Sequence, residues 1–167
     1  EGFFVALSSH FEFFVAFGTT GVCDNGNALS ITAFPVLADE HFALFAESGA
    51  SLTELERVNA KLWHAMSGAE YIKLKLNITD KEIYDSVRYH TTARAGMSLL
   101  EKVIYIADFI SADRVYDDVD VVRELAEKSI EDTMLYTQRY SINELVFKGA
   151  CVHPDSIACY NEILLNK

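Results

Sequence analysis

The sequence predicts an all-α domain of about six to eight helices. Apolar residues recur three or four positions apart from residue 51 onward, and no alternating pattern typical of strands persists. Several of these segments begin with a serine or threonine that is followed three residues later by an acidic residue, the spacing of a capping box. The chain has 167 residues and no internal repeats, so we expect one compact domain over residues 1–167.

Each helix is placed by its own start and stop signals. In chain order we expect helices at about 51–57, 61–76, 80–90, 99–111, 121–128, 129 to near 149, and 154–165. Capping-box spacing marks four of the starts: Ser51 with Glu54, Thr79 with Glu82, Ser98 with Glu101, and Ser129 with Asp132. Gly149 is a candidate C′ residue. Pro154 favours the first turn of the last helix, with His153 capping or packing just before it.

The charge balance restricts the classes of partner. The chain carries 25 acidic and 14 basic residues, a formal net charge of −11. A nucleic-acid backbone is therefore not expected as a partner, because no basic patch is available to neutralise its phosphates. A small polyphosphate remains compatible with this charge, since a bound metal and a few arginines supply positive charge locally.

Cysteine content and hydropathy indicate a cytoplasmic protein. The three cysteines, Cys23, Cys151 and Cys159, are odd in number and fit no zinc-binding spacing. We therefore expect them to be buried small apolar side chains in a reducing compartment. No apolar run reaches the ~18 residues needed to cross a bilayer, and the start lacks the basic region of a signal peptide. No membrane partner is expected.

Residues 1–56 differ in composition from the rest of the chain. They contain no lysine or arginine, nine of the eleven phenylalanines and none of the eight tyrosines. At a usual frequency of about 12% basic residues, such a gap has a chance on the order of one in a thousand. One explanation is that the printed sequence of this segment is not the native one. Lysine and arginine side chains would then have been assigned as the shorter alanine, serine or glycine. Sequencing the gene tests it.

A histidine and an aspartate fall on the apolar faces of two successive helices. His90 lies seven residues after Ile83, and Asp108 lies eight residues after Leu100, positions at which a helix returns to the same face. Both side chains are therefore expected to point inward. A buried carboxylate is costly unless it is paired, hydrogen-bonded or bound to a cation. One alternative for Asp108 is a salt bridge to a nearby basic residue: Arg94, Lys102 or Arg114.

Another histidine, His64, lies in the segment LWHAMSGAEY, where small residues leave room for close neighbours. If His64, His90 and Asp108 converge, they form a suitable ligand set for a borderline divalent metal. The alternative is that each histidine is an ordinary hydrogen-bonded core residue.

Three stretches between about Leu62 and Leu165 form a recognisable set of motifs: Leu62-Trp63-His64-Ala65 with Gly68-Ala69, Arg88-Tyr89-His90-Thr91-Thr92-Ala93-Arg94 with Gly96-Met97, and Leu100-Glu101-Lys102 continuing to Ile106-Ala107-Asp108. With these motifs, the segment resembles the YqeK-type HD-domain hydrolases. The gaps of 26 and 18 residues between the three candidate ligands are also similar. Ala95 is a departure, because the family usually has proline after the arginine.

The resemblance implies an HD-domain helical bundle that splits symmetrical diadenosine tetraphosphate into two ADP at a di-metal centre, usually iron. His64, His90 and Asp108 would bind metal, and no catalytic residue beyond the metal centre is implied. The partner would be a small nucleotide substrate, and a homodimer is left open.

Four further residues would bind the substrate. Arg94 and Arg114 would contact phosphate, since a guanidinium group offers planar bidentate donors that stay charged. Thr91 and Thr92 would add hydroxyl donors. Surface salt bridges for the arginines and turn capping for the threonines are the alternatives.

The resemblance also implies ligands that the sequence lacks. The family's adjacent His-Asp pair would fall at about Ile31 and Thr32, and an early histidine at about Glu1 or Gly2. Neither Ile31 nor Thr32 can ligate as the pair would. The nearby substitutes, which we expect at the surface, are His10, Asp39 and His41. A rival function follows: a catalytically inactive nucleotide-binding or regulatory module that kept the helices and lost the pair.

Overall fold

The computed structural model describes residues 38–167, and within that range it contains eight α-helices and no strand. They are α1 (Ala38–Ser48), α2 (Glu54–Val58), α3 (Ala60–Leu74), α4 (Lys81–Tyr89), α5 (Leu99–Ile110), α6 (Val119–Ala126), α7 (Ile130–Phe147) and α8 (Pro154–Leu165). The all-α prediction is confirmed. None of these helices is both long and apolar enough to cross a membrane.

Helix α3 is held in place by aromatic and aliphatic contacts with α1 and α2. Phe45 of α1 is buried against Leu62 and Met66 of α3. Phe42 meets Trp63 edge to face, with ring centroids 4.8 Å apart. The Trp63 indole N–H also donates to the backbone oxygen of Glu56 at 2.8 Å. These contacts fix the helix that carries His64.

The N-cap of helix α2 lies two residues later than the sequence predicts. The expected Ser51–Glu54 capping box is wrong, because the box is formed by Thr53 and Glu56. The Glu56 carboxylate accepts from the backbone N–H of Thr53 at 2.8 Å, and the Thr53 hydroxyl accepts from Glu56 N–H at 3.3 Å. Both pairs have the required spacing. The structure selects the one whose glutamate also forms an ion pair with Arg88.

Helix α4 also starts differently from the prediction. The N-cap is Asp80 and not Thr79, since an Asp80 carboxylate oxygen accepts from the backbone N–H groups of Glu82 and Ile83 at 2.9 and 3.1 Å. The expected inward stripe through Ile83 is wrong as well, because Ile83 is 36% exposed. His90 is nevertheless buried, as the C-cap residue that turns into the following loop.

Helix α5 carries Asp108 at the margin of its buried face. The Ser98–Glu101 capping box is confirmed, with reciprocal hydrogen bonds of 3.3 and 2.7 Å. Tyr105 and Ile106 are buried in the main hydrophobic cluster. The side chain of Asp108 keeps 17% of its accessible surface. It is therefore only partly buried, which corrects the expectation of full burial.

The last two helices agree with the sequence. The Ser129 hydroxyl caps α7 by accepting from Asp132 N–H at 3.1 Å, and Gly149 follows that helix with a positive φ of 65°. Helix α8 starts at Pro154, as predicted. His153 is its N-cap, with Nδ1 accepting from a backbone N–H at 3.2 Å.

The described cysteines divide into one buried and one exposed residue. Cys159 is buried in the main hydrophobic cluster, which confirms the prediction for it. Cys151 is exposed, so the same prediction is wrong there. It precedes α8 in a short connection that lies outside the core. Cys23 lies outside the described residues.

Candidate metal centre

The structure brings His64 and His90 into direct contact. Their Nε2 atoms are 3.1 Å apart, and the ring centroids are separated by 5.0 Å. Close packing of α3 on α4 makes this approach feasible: a Cβ added at Gly68 would lie 3.4 Å from a methyl carbon of Val87. The small residues after His64 therefore leave the room that the sequence indicated.

Both rings direct the same nitrogen toward the other. His90 Nδ1 lies 2.7 Å from the carbonyl oxygen of Val87. A carbonyl only accepts, so Nδ1 of the neutral ring carries the proton and Nε2 carries a lone pair. The His64 ring likewise hydrogen-bonds the backbone of Lys61. Two imidazole nitrogens that face each other in this way suit a shared cation, and imidazole is a common ligand of zinc, iron and copper.

Electrostatics favour the uncharged form of His64. Burial, followed by the neighbouring His90, lowers the pKa of His64 to about 4, while the charge of Asp108 acts in the opposite direction. A neutral imidazole is the form that binds metal. The electrostatic interaction also shows that Asp108 is close enough to influence the ring.

Asp108 forms the salt bridge that the sequence left open. One nitrogen, Nη2 of Arg114, donates to both carboxylate oxygens at 2.9 and 2.8 Å, and Nε donates to the backbone oxygen of Asp108 at 3.0 Å. Over residues 38–167, no group of three or more histidine, cysteine, aspartate or glutamate side chains is arranged to hold a metal. The described structure therefore joins two of the three predicted ligands.

The two threonines after His90 occupy different environments. The Thr91 hydroxyl lies 3.2 Å from His64 Nε2, beside the histidine pair. Thr92 is buried, and its hydroxyl has no hydrogen-bond partner among the described residues. Its carbonyl oxygen accepts from the Ser156 hydroxyl at 2.7 Å. Thr91 is thus oriented toward the site, whereas no contact joins the Thr92 hydroxyl to the histidine pair among the described residues.

Arg94 donates to carboxylates through two of its three guanidinium nitrogens, while Nη1 donates to the backbone oxygen of Ala95 at 3.5 Å. It donates to Glu101 through Nε and Nη2 at 2.6 and 2.9 Å, and to Asp85 through Nη2 at 3.2 Å. These hydrogen bonds raise the pKa of Arg94, chiefly through Glu101. The salt-bridge alternative is thus realised for Arg94, with partners that are buried within the domain.

The predicted substitutes for the missing ligands are only partly described. His41 is buried, which corrects the expectation that it lies at the surface: its Nδ1 is 2.6 Å from the Ser67 hydroxyl. Its charge also contributes to the lowered pKa of His64. Asp39 is exposed, as expected. The positions that fall outside the described residues are Glu1, Gly2, His10, Ile31 and Thr32.

Sequence reasoning missed several buried acidic residues around the site. Glu101 is 1% exposed, Glu56 4%, Asp85 6% and Glu70 7%. Glu101 and Glu56 carried a local signal, because each is the N3 residue of a capping box. Burial of the others depends on arginine or tyrosine partners far away in the chain, such as Tyr84 for Glu70 at 2.5 Å.

Similar proteins are known by sequence and by structure. The chain is 41% identical over 103 residues to the symmetrical bis(5'-nucleosyl)-tetraphosphatase of Bacillus subtilis (strain 168), a match that covers 62% of this chain and 55% of that relative. It is 36% identical over 107 residues to the protein of the same name from Halalkalibacterium halodurans, over 64% of this chain and 57% of the relative. A predicted HD superfamily hydrolase involved in NAD metabolism from Clostridium acetobutylicum has a crystal structure that matches with a TM-score of 0.73 and 29% identity, over 77% of this chain and 68% of that chain.

These comparisons confirm the resemblance predicted from the sequence, and the helical arrangement matches that of an HD superfamily hydrolase. No model of a protein family matches the chain. The chain spans about half the length of the curated relatives it matches.

Proposed function

We propose that this protein is a metal-dependent hydrolase of dinucleoside polyphosphates that cleaves diadenosine tetraphosphate symmetrically into two ADP. The observation that carries the proposal is the pair of imidazole Nε2 atoms 3.1 Å apart, near enough to Asp108 for its charge to act on His64. The similarity to symmetrical bis(5'-nucleosyl)-tetraphosphatases supports the substrate class.

The metal is the central part of the proposal. HD-domain phosphohydrolases are generally metal-dependent. We assign His64, His90 and Asp108 as ligands, with two iron ions as the proposed cofactor on the basis of the resemblance. Bound metal of this kind supplies an activated water and polarises a phosphoryl oxygen.

The salt bridge of Asp108 is compatible with a role as ligand. An ionised carboxylate offers about four lone-pair sites, and the single Nη2 of Arg114 occupies part of them. Arg114 orients the carboxylate from one side. Its side chain is 37% exposed, so its remaining N–H groups are available to a phosphate oxygen. Thr91 supplies a hydroxyl group next to the histidine pair, and Thr92 is proposed as a second hydroxyl donor to the substrate.

The sequence at Ile31 and Thr32 favours a second candidate function, an inactive nucleotide-binding or regulatory module. Metal analysis and product analysis of the purified protein separate the two. About two metal ions per chain and ADP as the sole product support the hydrolase. No metal and no turnover support the inactive module, and AMP with ATP would contradict symmetrical cleavage.

Location and assembly remain proposals too. We propose a cytoplasmic protein, which the odd number of cysteines supports. A homodimer is the assembly to be tested, by a mass measurement in solution on the same preparation.

His90→Ala is expected to abolish metal uptake while the protein remains folded, because it removes one of two facing Nε2 donors. Metal content is measured by mass spectrometry after dialysis, together with thermal unfolding. His153→Ala is the matched control, since both histidines are 8% exposed and His153 caps α8 away from the pair. Normal hydrolysis by His90→Ala would contradict the ligand assignment.

A further inference from the structure

We propose that Arg94 is a positioning residue that sets the relative placement of His90 and Asp108, and that it does not bind substrate phosphate. It does so by cross-linking α4 to α5. The inference rests on the proposed function only in taking His90 and Asp108 as metal ligands. The cross-link itself is a property of the fold.

The guanidinium group of Arg94 joins two buried carboxylates on different helices. Glu101 on α5 receives a side-on bidentate pair of hydrogen bonds at 2.6 and 2.9 Å. Asp85 on α4 receives a third hydrogen bond at 3.2 Å. Glu101 and Asp85 are 1% and 6% exposed, so neither carboxylate has water as a ready substitute for Arg94.

The charges of this cluster are balanced without a ligand. Two cations, Arg94 and Lys81, face two carboxylates, Asp85 and Glu101, with Lys81 paired to Asp85 one helical turn away. A guanidinium group has five N–H donors, and its Nε and Nη2 groups are directed at carboxylates. A phosphate group would therefore find little unbalanced positive charge at Arg94.

Each end of the cross-link lies on the helix that carries or precedes a proposed ligand: α4 precedes His90, and α5 carries Asp108. Asp85 lies on α4, one turn before Tyr89, and His90 is the C-cap that follows. Arg94 also lies over the ring of Tyr89, the residue just before His90, at 5.0 Å from the centroid. Glu101 precedes Asp108 by seven residues on α5, which places both on the same side of that helix.

The loop between His90 and Arg94 leaves little freedom to absorb a displacement. Ala93 N–H donates to the carbonyl oxygen of Tyr89 at 2.7 Å, and Ala93 is fully buried with a positive φ of 57°. The Thr92 carbonyl is held by the Ser156 hydroxyl. A shift of Arg94 is thus transmitted back to Thr91 and His90, which face His64.

The test is Arg94→Lys, which keeps the positive charge but loses the planar fork. We expect the affinity for Co²⁺ to fall by about 10- to 100-fold, the usual effect of losing a residue that orients metal ligands. At saturating metal, KM for diadenosine tetraphosphate is expected to stay within about twofold of the wild-type value. In the metal-free protein, the ¹⁵N signals of both the His64 and His90 rings are expected to shift.

Arg88→Lys is the matched control. Arg88 also pairs with a buried glutamate, Glu56, and lies over the same Tyr89 ring at 5.1 Å, but it links α4 to α2 and not to α5. We expect a comparable loss of thermal stability with little change in Co²⁺ affinity. Equal losses of Co²⁺ affinity in both variants would show a general effect of stability and overturn the proposal.

Other outcomes are equally decisive. A tenfold rise in KM with unchanged Co²⁺ affinity would return Arg94 to a phosphate-binding role. If the wild-type protein binds no Co²⁺, the metal assignment fails, and unchanged ring signals in Arg94→Lys would then overturn the positioning role separately. Should Arg94→Lys not fold, Glu101→Gln weakens the same cross-link from α5 and must shift the same ring signals.

Discussion

The two imidazole rings are oriented by main-chain groups and not by their contact with each other. His90 donates from Nδ1 to the carbonyl oxygen of Val87, and the His64 ring hydrogen-bonds the backbone of Lys61. The Nε2 atoms therefore face each other at 3.1 Å. Such preorganisation reduces the cost of ordering ligands when a cation binds.

Single side chains also determine the chemical reactivity of the thiols. Cys159 is 2% exposed, and burial, followed by the charge of Glu162, raises its pKa to about 11. Cys151 is exposed. Because the thiolate is the reactive form, the two residues should differ strongly toward alkylating reagents.

Iodoacetamide at pH 8 is expected to modify Cys151 in the native protein within minutes and to leave Cys159 intact. The thiolate of Cys159 is scarce until the pH approaches about 11. Mass spectrometry of the peptides that contain each cysteine measures the two rates. Urea is expected to abolish the difference, and equal rates without urea would contradict the burial of Cys159.

At the level of helices, side-chain caps decide where most elements begin. Helices α2, α4, α5, α7 and α8 each have an N-cap side chain that accepts from the first turn. Helix α3 has no such bond. Its N-cap is Asn59, which is also the C-cap of α2. The position of α2 therefore determines where α3 begins and where His64 lies on it.

The end of α7 gives a prediction at this scale. Gly149 has a φ of 65°, and a Cβ added there would meet nothing within 4 Å. Gly149→Ala is therefore expected to lower the free energy of unfolding by about 1 kcal/mol through backbone strain alone. Gly149→Asn is the control and should cost less, because asparagine tolerates this conformation. Urea unfolding measures both, and an unchanged Gly149→Ala midpoint would contradict the assigned turn.

For the molecule as a whole, Glu56 connects segments that are distant in sequence. It caps α2, accepts from Arg88 of α4 at 2.5 Å, and lies 3.5 Å from Nε2 of His153 at the start of α8. Burial by itself would raise the pKa of Glu56, but hydrogen bonds from Thr53 and Arg88 outweigh it and hold the pKa below its ordinary value. The folded state therefore depends on the ionised form.

Glu56→Gln is expected to lower the free energy of unfolding at pH 7 by about 2 kcal/mol. The carboxylate stabilises the fold above its pKa in the unfolded chain, and this contribution is lost as the pH falls through the lower folded value. The variant and the wild-type protein should therefore converge in stability between about pH 5 and 3. Urea unfolding across this range measures the difference, and a constant difference would contradict the lowered pKa.

Glu144→Gln is the control for this series. Glu144 forms an exposed ion pair with Lys148 one turn away on the surface of α7. Exposed pairs contribute little to stability, so this variant is expected to follow the wild-type curve.

Local patterns in the sequence were sufficient for much of the fold. The Ser98–Glu101 box, the Ser129 cap, Gly149 and Pro154 each lie within a few residues of the feature that they determine. Such signals depend on hydrogen bonds within one helical turn, so residues that are close in the sequence contain the necessary information. The candidate ligands His64 and His90 were also identified from the sequence. Their contact in the structure agrees with the arrangement that the family resemblance implies.

The sequence by itself determined an all-α chain with capped helices and two histidines on neighbouring helices. Only the tertiary structure decided that Arg94 is neutralised by Asp85 and Glu101, that Arg114 holds Asp108, and that Ile83 is exposed. The physical reason is that burial and ion pairing depend on the distance between helices, which side chains far apart in the chain set together. A local pattern contains no measure of that distance.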